Sequence, residues 1–408
     1  MRVLLVSQYY APEVGATQNR MEAFVNGLLA DGHQVTVICE QPNHPRGIFY
    51  EGYGRVPIRR ERRDGLAINR LWVYASPHKT TARRLLFYGT FAAGAFALAA
   101  ALPAHDVVFV TSPPLPGALA VALATRLRRR PLVVDVRDLW PAAAEALGEL
   151  SNRHVLRAFE HAERWLYRTA DAVTATTQPF CRHIDAVAGD QVAVHVPNGA
   201  LDSLVALPER PPPPDGPFRI GYFGNFGIAQ GLGIVLDAAR LLSGEPIAFR
   251  LVGGGPLENE LRTRVADLAL ANVELRAPVP PDQVGESLLD CHALLIPLRR
   301  HPLLGDFMPS KLYDAMAVGR PAIVAATGEV AAFVDEHGCG VVIPPEDGVA
   351  LAAVARKLAG DGQLAERLGA AGKALAMEHA RSRQAAHLSG LLERVASGAG
   401  MRRSRRRR

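Results

Sequence analysis

Short apolar runs recur along the chain with helical stretches between them. In the first half these runs are Val3 to Val6, Val35 to Ile38, Val107 to Thr111, Leu132 to Val136, Ala172 to Thr176 and Val192 to Val196. None alternates strictly between apolar and polar positions. That is the pattern of strands covered by helices on both faces, so this half predicts a parallel, doubly wound sheet. Between Leu207 and Pro217 the chain reads Pro-Glu-Arg-Pro-Pro-Pro-Pro-Asp-Gly, a composition that resists helix and sheet alike and suits a stiff connector. The sequence therefore places a first domain at 1–206, a linker at 207–217 and a second domain at 218–380. After the linker the rhythm restarts, at Arg219 to Phe223, Phe249 to Val252, Val273 to Arg276, Ala293 to Pro297, Ala322 to Val324 and Val341 to Ile343. Residues 351–395 are helical by apolar spacing and alanine content. Within the C-terminal part, 381–400 is expected to be a helix returning to the first domain, and 401–408 a disordered tail.

Composition narrows the class. With 408 residues, 49% hydrophobic and 21% charged, the chain has the balance of a folded globular protein of two or three domains. A formal charge of +6 would invite a nucleic-acid reading, but the closing run Met401 to Arg408 alone carries six arginines, and the rest of the chain is balanced. No specific nucleic-acid partner is expected. Four scattered cysteines, Cys39, Cys181, Cys291 and Cys339, form no CxxC pair, so reduced thiols and no metal site are expected. The N-terminus runs straight into a strand without a signal-like segment, which points to a cytoplasmic location. The 18 uncharged residues from Leu85 to Leu102 sit at the lower limit for a membrane span. Their alanine content favours a buried or interface-facing helix over a spanning one.

Two tandem Rossmann-like domains would hold ligands beyond the carboxyl ends of their strands, a donor on one lobe and an acceptor on the other. Candidate chemistry falls at those ends. Leu251-Val252-Gly253-Gly254-Gly255-Pro256 runs from a strand through three glycines into a helix, and Gly221 to Gly227 followed by Ala229-Gln230-Gly231 forms a related turn around Gly224 and Asn225. Each suits close backbone approach to a phosphate, and each is equally an ordinary tight turn. The stretch Gly305 to Pro321 is the most informative. Ser310 is placed as the cap of a helix of barely three turns, ended by Gly319 and Pro321. Its amino end, following Pro309, offers N–H groups, the positive end of the dipole and the Lys311 ammonium, which together make a diphosphate site without a metal. Asp314 lies one turn on from Lys311 and can accept ribose hydroxyls, while Asp306 on the preceding loop can hold a sugar hydroxyl. An ordinary capped helix with an exposed Lys/Asp pair fits the same residues. In the first domain, Gly15 follows the opening strand, and Asp135-Val136-Arg137-Asp138-Leu139-Trp140-Pro141 closes another. Asp135 and Asp138 read as a loop-capping pair rather than metal ligands, with Arg137 or Asp138 as a sugar or acceptor contact.

The ordered set of the Gly15 loop, Arg137 to Pro141, Val196-Pro197-Asn198-Gly199, Gly224-Asn225, Val252 to Pro256 and Pro309-Ser310-Lys311 resembles retaining family 4 glycosyltransferases of GT-B fold. The likeness is greatest to the branch acting on amino sugars in lipopolysaccharide and capsule assembly, and it covers the chain to about Ala396. It implies transfer of an N-acetylated amino sugar from a nucleoside diphosphate donor, expected to be UDP-linked, to a hydroxyl of a glycan or polyprenyl-linked acceptor. It also implies retention at the anomeric carbon, with no metal and no cofactor beyond the donor. Asp306 and Asp314 hold the places of the family's two glutamates, which contact the sugar and the ribose. The family's basic diphosphate pair falls on Asn225 and Gln230, neither charged, so that role passes to Lys311 and the helix end, with Arg299 or Arg300 as second choice. Asp306, Lys311 and Asp138 are the expected reacting-centre residues. Gly224, Asn225, Gln230, Gly253, Gly254, Pro309, Ser310 and Asp314 are expected around the donor, and Gly15, Arg137 and Asn198 around sugar or acceptor. A front-face displacement is expected, since no carboxylate is placed as a covalent nucleophile.

A lipid-linked acceptor would bring the chain to an anionic membrane surface, peripheral on the inner face of the plasma membrane. The arginine tail suits that surface, and it equally reflects a chain with 42 arginines and 4 lysines. Two other classes fit the architecture: a nucleotide-sugar 2-epimerase, which would need no acceptor cleft, and a non-catalytic two-lobed binding protein, which would have no use for Lys311 and Asp314.

Overall fold

The computed structural model describes every residue except 79, 143–151 and 399–408. It divides into two compact units, each a mixed α/β domain of the doubly wound kind. The first is Met1–Pro197 together with the closing helix Arg381–Ala396, and the second is Asn198–Ala380.

The first unit is built on an eight-stranded sheet. Its strands are β1 (Arg2–Val6), β2 (Gln34–Glu40), β3 (Ile58–Arg63), β4 (Leu66–Leu71), β5 (Val107–Ser112), β6 (Leu132–Val136), β7 (Ala172–Ala175) and β8 (Ala193–His195), in the order β3-β4-β2-β1-β5-β6-β7-β8. All pairs are parallel except β3 with β4. Strands β3 and β4 are the two elements that the apolar-run pattern misses. β3 is Ile-Arg-Arg-Glu-Arg-Arg, an exposed edge strand that no helix covers, so it needs no apolar run, and its charge blunts the edge. The central strands are buried along their length, with Val3, Leu5, Val37, Phe109 and Val133 at 0% exposure. Helix Arg381–Ala396 closes one face of this core by burying Leu388, Leu391, Leu392 and Val395.

The 21-residue helix Thr81–Ala101 is long and apolar enough to cross a membrane by length and composition. Here it packs along Leu115–Leu127 and buries only Phe91, Ala95, Leu98 and Ala99, leaving Leu85 and Leu86 exposed.

The second unit carries six parallel strands, β9 (Phe218–Asn225), β10 (Ile247–Gly254), β11 (Val273–Arg276), β12 (Ala293–Pro297), β13 (Ala322–Ala325) and β14 (Gly340–Ile343), in the order β11-β10-β9-β12-β13-β14. Each coincides with an apolar run of the sequence. Successive residues of β12 face opposite cores: Ala293 and Leu295 join the cluster with Ile220, Tyr222 and Phe249, whereas Leu294 and Ile296 join Leu312 and Met316. Both faces are covered, which explains the continuous hydrophobicity.

The domain boundary is not in the proline-rich segment. It lies at Pro197, and 207–217 belongs to the second unit. Prolines leave that segment's carbonyls outside any ladder, so side chains of the unit take them: Arg320 donates to the Arg210 carbonyl at 3.0 Å, and the His292 ring shares a hydrogen bond with the Pro213 carbonyl at 3.0 Å. The expected tail, 401–408, lies outside the described residues.

Candidate donor site

In the second unit the sheet order reverses between β9 and β12, the crevice where open parallel sheets bind ligands. The glycine turns predicted from sequence meet there. β9 and β10 are in register to their ends, pairing Gly224 with Gly253 and Asn225 with Gly254. Two of these positions require glycine. Gly224 has φ 137°, and Gly253, at φ 154°, approaches the Gly224 carbonyl so closely that a Cβ would lie 1.8 Å from it. The turn is pinned by the Tyr222 hydroxyl, which donates to the Asn225 carbonyl at 2.6 Å, and by the Phe226 amide, which donates to the Gly254 carbonyl at 2.9 Å. The side chains of Asn225 and Gln230 converge over Gly227, where a Cβ would meet Asn225 Nδ2 and Gln230 Oε1, each at 2.6 Å. Gln230 Oε1 is itself buried without a hydrogen-bond partner among the described residues.

Helix Ser310–Ala317 brings Lys311 to the same place. Its Nζ sits 5.3 Å from the Tyr222 ring centroid, and a Cβ at Gly224 would lie 2.6 Å from Lys311 Cε and 2.9 Å from Nζ. The missing side chain at Gly224 is the slot that holds the lysine. Burial lowers the Lys311 pKa from its ordinary value, opposed by the nearby Asp314 carboxylate. Among the described residues the ammonium makes no salt bridge and donates no hydrogen bond. One expectation needs correcting. Ser310 is not the cap: it is the first helical residue, the N-cap is Pro309 in an extended conformation, and no side chain caps the helix. The amino end therefore offers more backbone donor capacity than a serine cap would have left. Asp306 ends the short 3-10 turn Pro302–Asp306 just before this helix. The second-choice arginines are engaged elsewhere, Arg299 with Glu346 at 3.3 Å and Arg300 with the Pro345 carbonyl at 3.4 Å. Asn198 opens the second unit.

In the first unit, Gly15 is the N-cap of helix Ala16–Ala30, which has no side-chain cap, and a Cβ there would meet Gln18 Oε1 at 2.6 Å. The Asp135/Asp138 pair is not a loop cap. Asp135, fully buried, forms an ion pair with Arg20 at 2.9 Å and accepts the Thr174 hydroxyl at 2.7 Å. Arg20 also donates to the Val196 and Pro197 carbonyls, both at 2.8 Å, fixing the chain just before it enters the second unit. Nothing in the pattern around Arg20, an arginine within an amphipathic stretch, distinguishes it from a solvated one. Arg137 is also committed: it donates to the Thr111 hydroxyl at 2.9 Å, the Pro113 carbonyl at 2.7 Å and the Thr17 hydroxyl. Its role is to fix the loop, which leaves Asp138 as the contact candidate. Burial raises the Asp138 pKa and the Arg137 guanidinium opposes that rise. Among the described residues no three His, Cys, Asp or Glu side chains are grouped to hold a metal ion.

Comparison with known proteins agrees with this layout. Residues 15–199 match the Glycosyl transferase 4-like domain, and residues 206–375 match Glycosyl transferases group 1. An Escherichia coli K12 protein assigned to colanic acid biosynthesis as the glycosyl transferase WcaI is 27% identical over 381 residues, covering 88% of this chain and 92% of its own. Among solved structures, sucrose-phosphate synthase from Thermosynechococcus elongatus superposes with a TM-score of 0.74 at 16% identity, covering 97% of this chain and 99% of that one. Anabaena Alr3699/HepE in complex with UDP does so at 0.68 and 14% identity, over 96% and 100%.

Proposed function

Because this chain belongs to the family 4-type glycosyltransferases of GT-B fold and is a glycosyltransferase, we propose that it serves polysaccharide biosynthesis. In this reading it transfers a sugar from a UDP-linked donor to a hydroxyl of a glycan, with retention and without a metal. The family match leaves the 2-epimerase and non-catalytic alternatives without support. The observation that carries the donor reading is the partly buried Lys311 ammonium, held in the Gly224 slot beside an uncapped helix end and donating no hydrogen bond among the described residues. A diphosphate supplies an acceptor.

The residues divide the work as follows. Lys311 and the amides of Ser310 and Lys311 hold the diphosphate. The glycine turn at Gly224, Gly253 and Gly254 lets the nucleotide approach the backbone, and Asn225 and Gln230 offer uncharged contacts to it. Asp314 accepts the ribose hydroxyls, and Asp306 a hydroxyl of the donor sugar, for which an N-acetylated amino sugar is our assignment. Asp138, Gly15 and Asn198 contact the sugar or acceptor. In the reaction the bond from the anomeric carbon to the diphosphate oxygen breaks, its electron pair staying on the phosphate. The acceptor oxygen then bonds to the same face of that carbon, and its proton passes to the departing phosphate. The charge that develops on the diphosphate is what Lys311 and the helix end stabilise.

In this reading we assign the protein to the cytoplasm, at the inner face of the plasma membrane when the acceptor is lipid-linked. The test is a panel of nucleotide sugars scored by diphosphate-dependent thermal shift, repeated with Lys311→Ala. A shift with UDP donors that the variant loses supports the reading, and an unchanged shift in the variant removes Lys311 from the diphosphate site. Transfer that persists in EDTA supports metal independence, and loss of transfer refutes it.

A further inference from the structure

Two cations pack against the ends of one turn in the second unit. The turn runs from Gly224 to Gly231 at the carboxyl end of β9, and it carries no charged side chain of its own. Lys311 lies against its first glycine. Arg299 lies against its last. Gly231 is in the left-handed region at φ 56°, and a Cβ there would lie 3.0 Å from Arg299 Cγ, so this glycine too is a notch for a basic side chain. The Arg299 amide donates to the Ala229 carbonyl at 2.9 Å, which fixes the arginine's backbone on the same turn. Arg299 stands two residues past β12, the strand beside β9, and so at the crevice where the sheet order reverses. Between the two notches the Asn225 and Gln230 side chains converge over Gly227.

The Arg299 guanidinium is turned toward a third loop, the one that follows β14. Its Nε donates to Glu346 Oε1 at 3.3 Å, while Glu346 Oε2 accepts the Arg300 amide at 3.3 Å. The ion pair is about half exposed, 51% for the Arg299 side chain and 43% for Glu346, and a pair so wet is weak. The backbone is nevertheless strained to present it. Glu346 has φ 61°, in the left-handed region that residues other than glycine and asparagine seldom occupy. It follows two prolines and precedes Asp347, which caps helix Gly348–Gly360 by accepting the Ala350 amide at 2.9 Å, so the strained residue is clamped on both sides. Strain is thus kept for a contact that adds little stability. The carboxylate would not be left bare by the arginine's departure, because the Arg300 amide and solvent remain to it. A diphosphate, with more charge than a carboxylate and oxygens that suit the guanidinium fork, is the stronger partner for Arg299.

We propose that Glu346 holds Arg299 back from the donor site and that Arg299 exchanges this carboxylate for the donor's diphosphate as the donor binds. The proposal rests on the donor reading and adds to it a second cation and the residue that restrains it. The experiment is calorimetric titration of the full chain with UDP and, separately, with uridine, on the parent, Arg299→Ala, Glu346→Gly and the double variant. Glycine takes φ 61° without strain, so Glu346→Gly keeps the loop while releasing the arginine. Arg299→Ala should raise the Kd for UDP about tenfold or more and leave that for uridine unchanged. Glu346→Gly should tighten UDP binding about threefold, and the gain should vanish in the double variant. UDP affinity unaltered by Arg299→Ala, equal losses for UDP and uridine, or a gain from Glu346→Gly that survives in the double variant overturns the proposal. Lys311→Met in the same titrations separates the two readings. UDP affinity that falls with Lys311→Met but not with Arg299→Ala leaves the donor site standing and removes the exchange, whereas a parent that fails to bind UDP removes both.

Discussion

Replacing Lys311 by methionine keeps the length of the side chain and removes its charge. The cost of burying the ammonium outweighs its interaction with Asp314, it donates no hydrogen bond among the described residues, and its contact with the Tyr222 ring is worth at most about 1 kcal/mol, so the variant should be about as stable as the parent. Diphosphate binding should suffer. Losing a charged partner from a desolvated contact costs about 2–4 kcal/mol, which is roughly a 30- to 700-fold rise in Kd. The neighbouring helix end contributes only about 0.3–1 kcal/mol, up to about 2 in partly buried geometry, and cannot compensate. Isothermal titration with UDP, paired with thermal melts without ligand, separates the two effects. A Kd within threefold of the parent, or a variant that melts well below it, would refute the account of Lys311 as a charge held for a ligand.

The same lysine sets a pH dependence. Its depressed pKa means that the free protein loses the ammonium as pH rises toward, but before reaching, the ordinary lysine value of 10.5, so UDP affinity should begin to fall below that pH in the parent and stay flat in Lys311→Met; parallel profiles would contradict this. Gly224→Ala puts a methyl where Lys311 Cε lies, at a positive φ, so UDP binding should drop at least tenfold with a stability loss of about 1–2 kcal/mol by chemical denaturation. Asp135→Asn leaves Arg20 buried without its counter-charge and should cost about 3–5 kcal/mol, measured as an earlier denaturation of the first unit, while Asp138→Asn should leave stability nearly unchanged and lower transfer.

Much of this architecture is written in local pattern. All six strands of the second unit coincide with apolar runs, because buried parallel strands must be hydrophobic on both faces. The glycine turns and Lys311 are legible for the same kind of reason: a strand end, close backbone approach and a helix start each leave a residue signature. What escaped is what depends on partners distant in sequence. Strand β3 carries no apolar run because one face and one edge meet water. Arg20 looks like a surface arginine until the fold brings Asp135, 115 positions away, against it. The proline run reads as a connector because its stiffness is local, whereas its anchoring by Arg320 and His292 comes from residues 79 or more positions on. Ser310 has the residue type of a cap, but Pro309 before it already supplies the extended conformation that the cap position needs.

The placement of helix Arg381–Ala396 bears on how the chain is made. Its leucines complete a hydrophobic layer whose other members lie before Pro197, so the ribosome must finish the entire second unit before the first can seal. The nascent amino-terminal half waits with that layer uncovered, a natural client for chaperones. Fragments cut at the visible boundary after Pro197 inherit the same gap and should aggregate, whereas Asn198–Ala380 is contiguous and retains its own core.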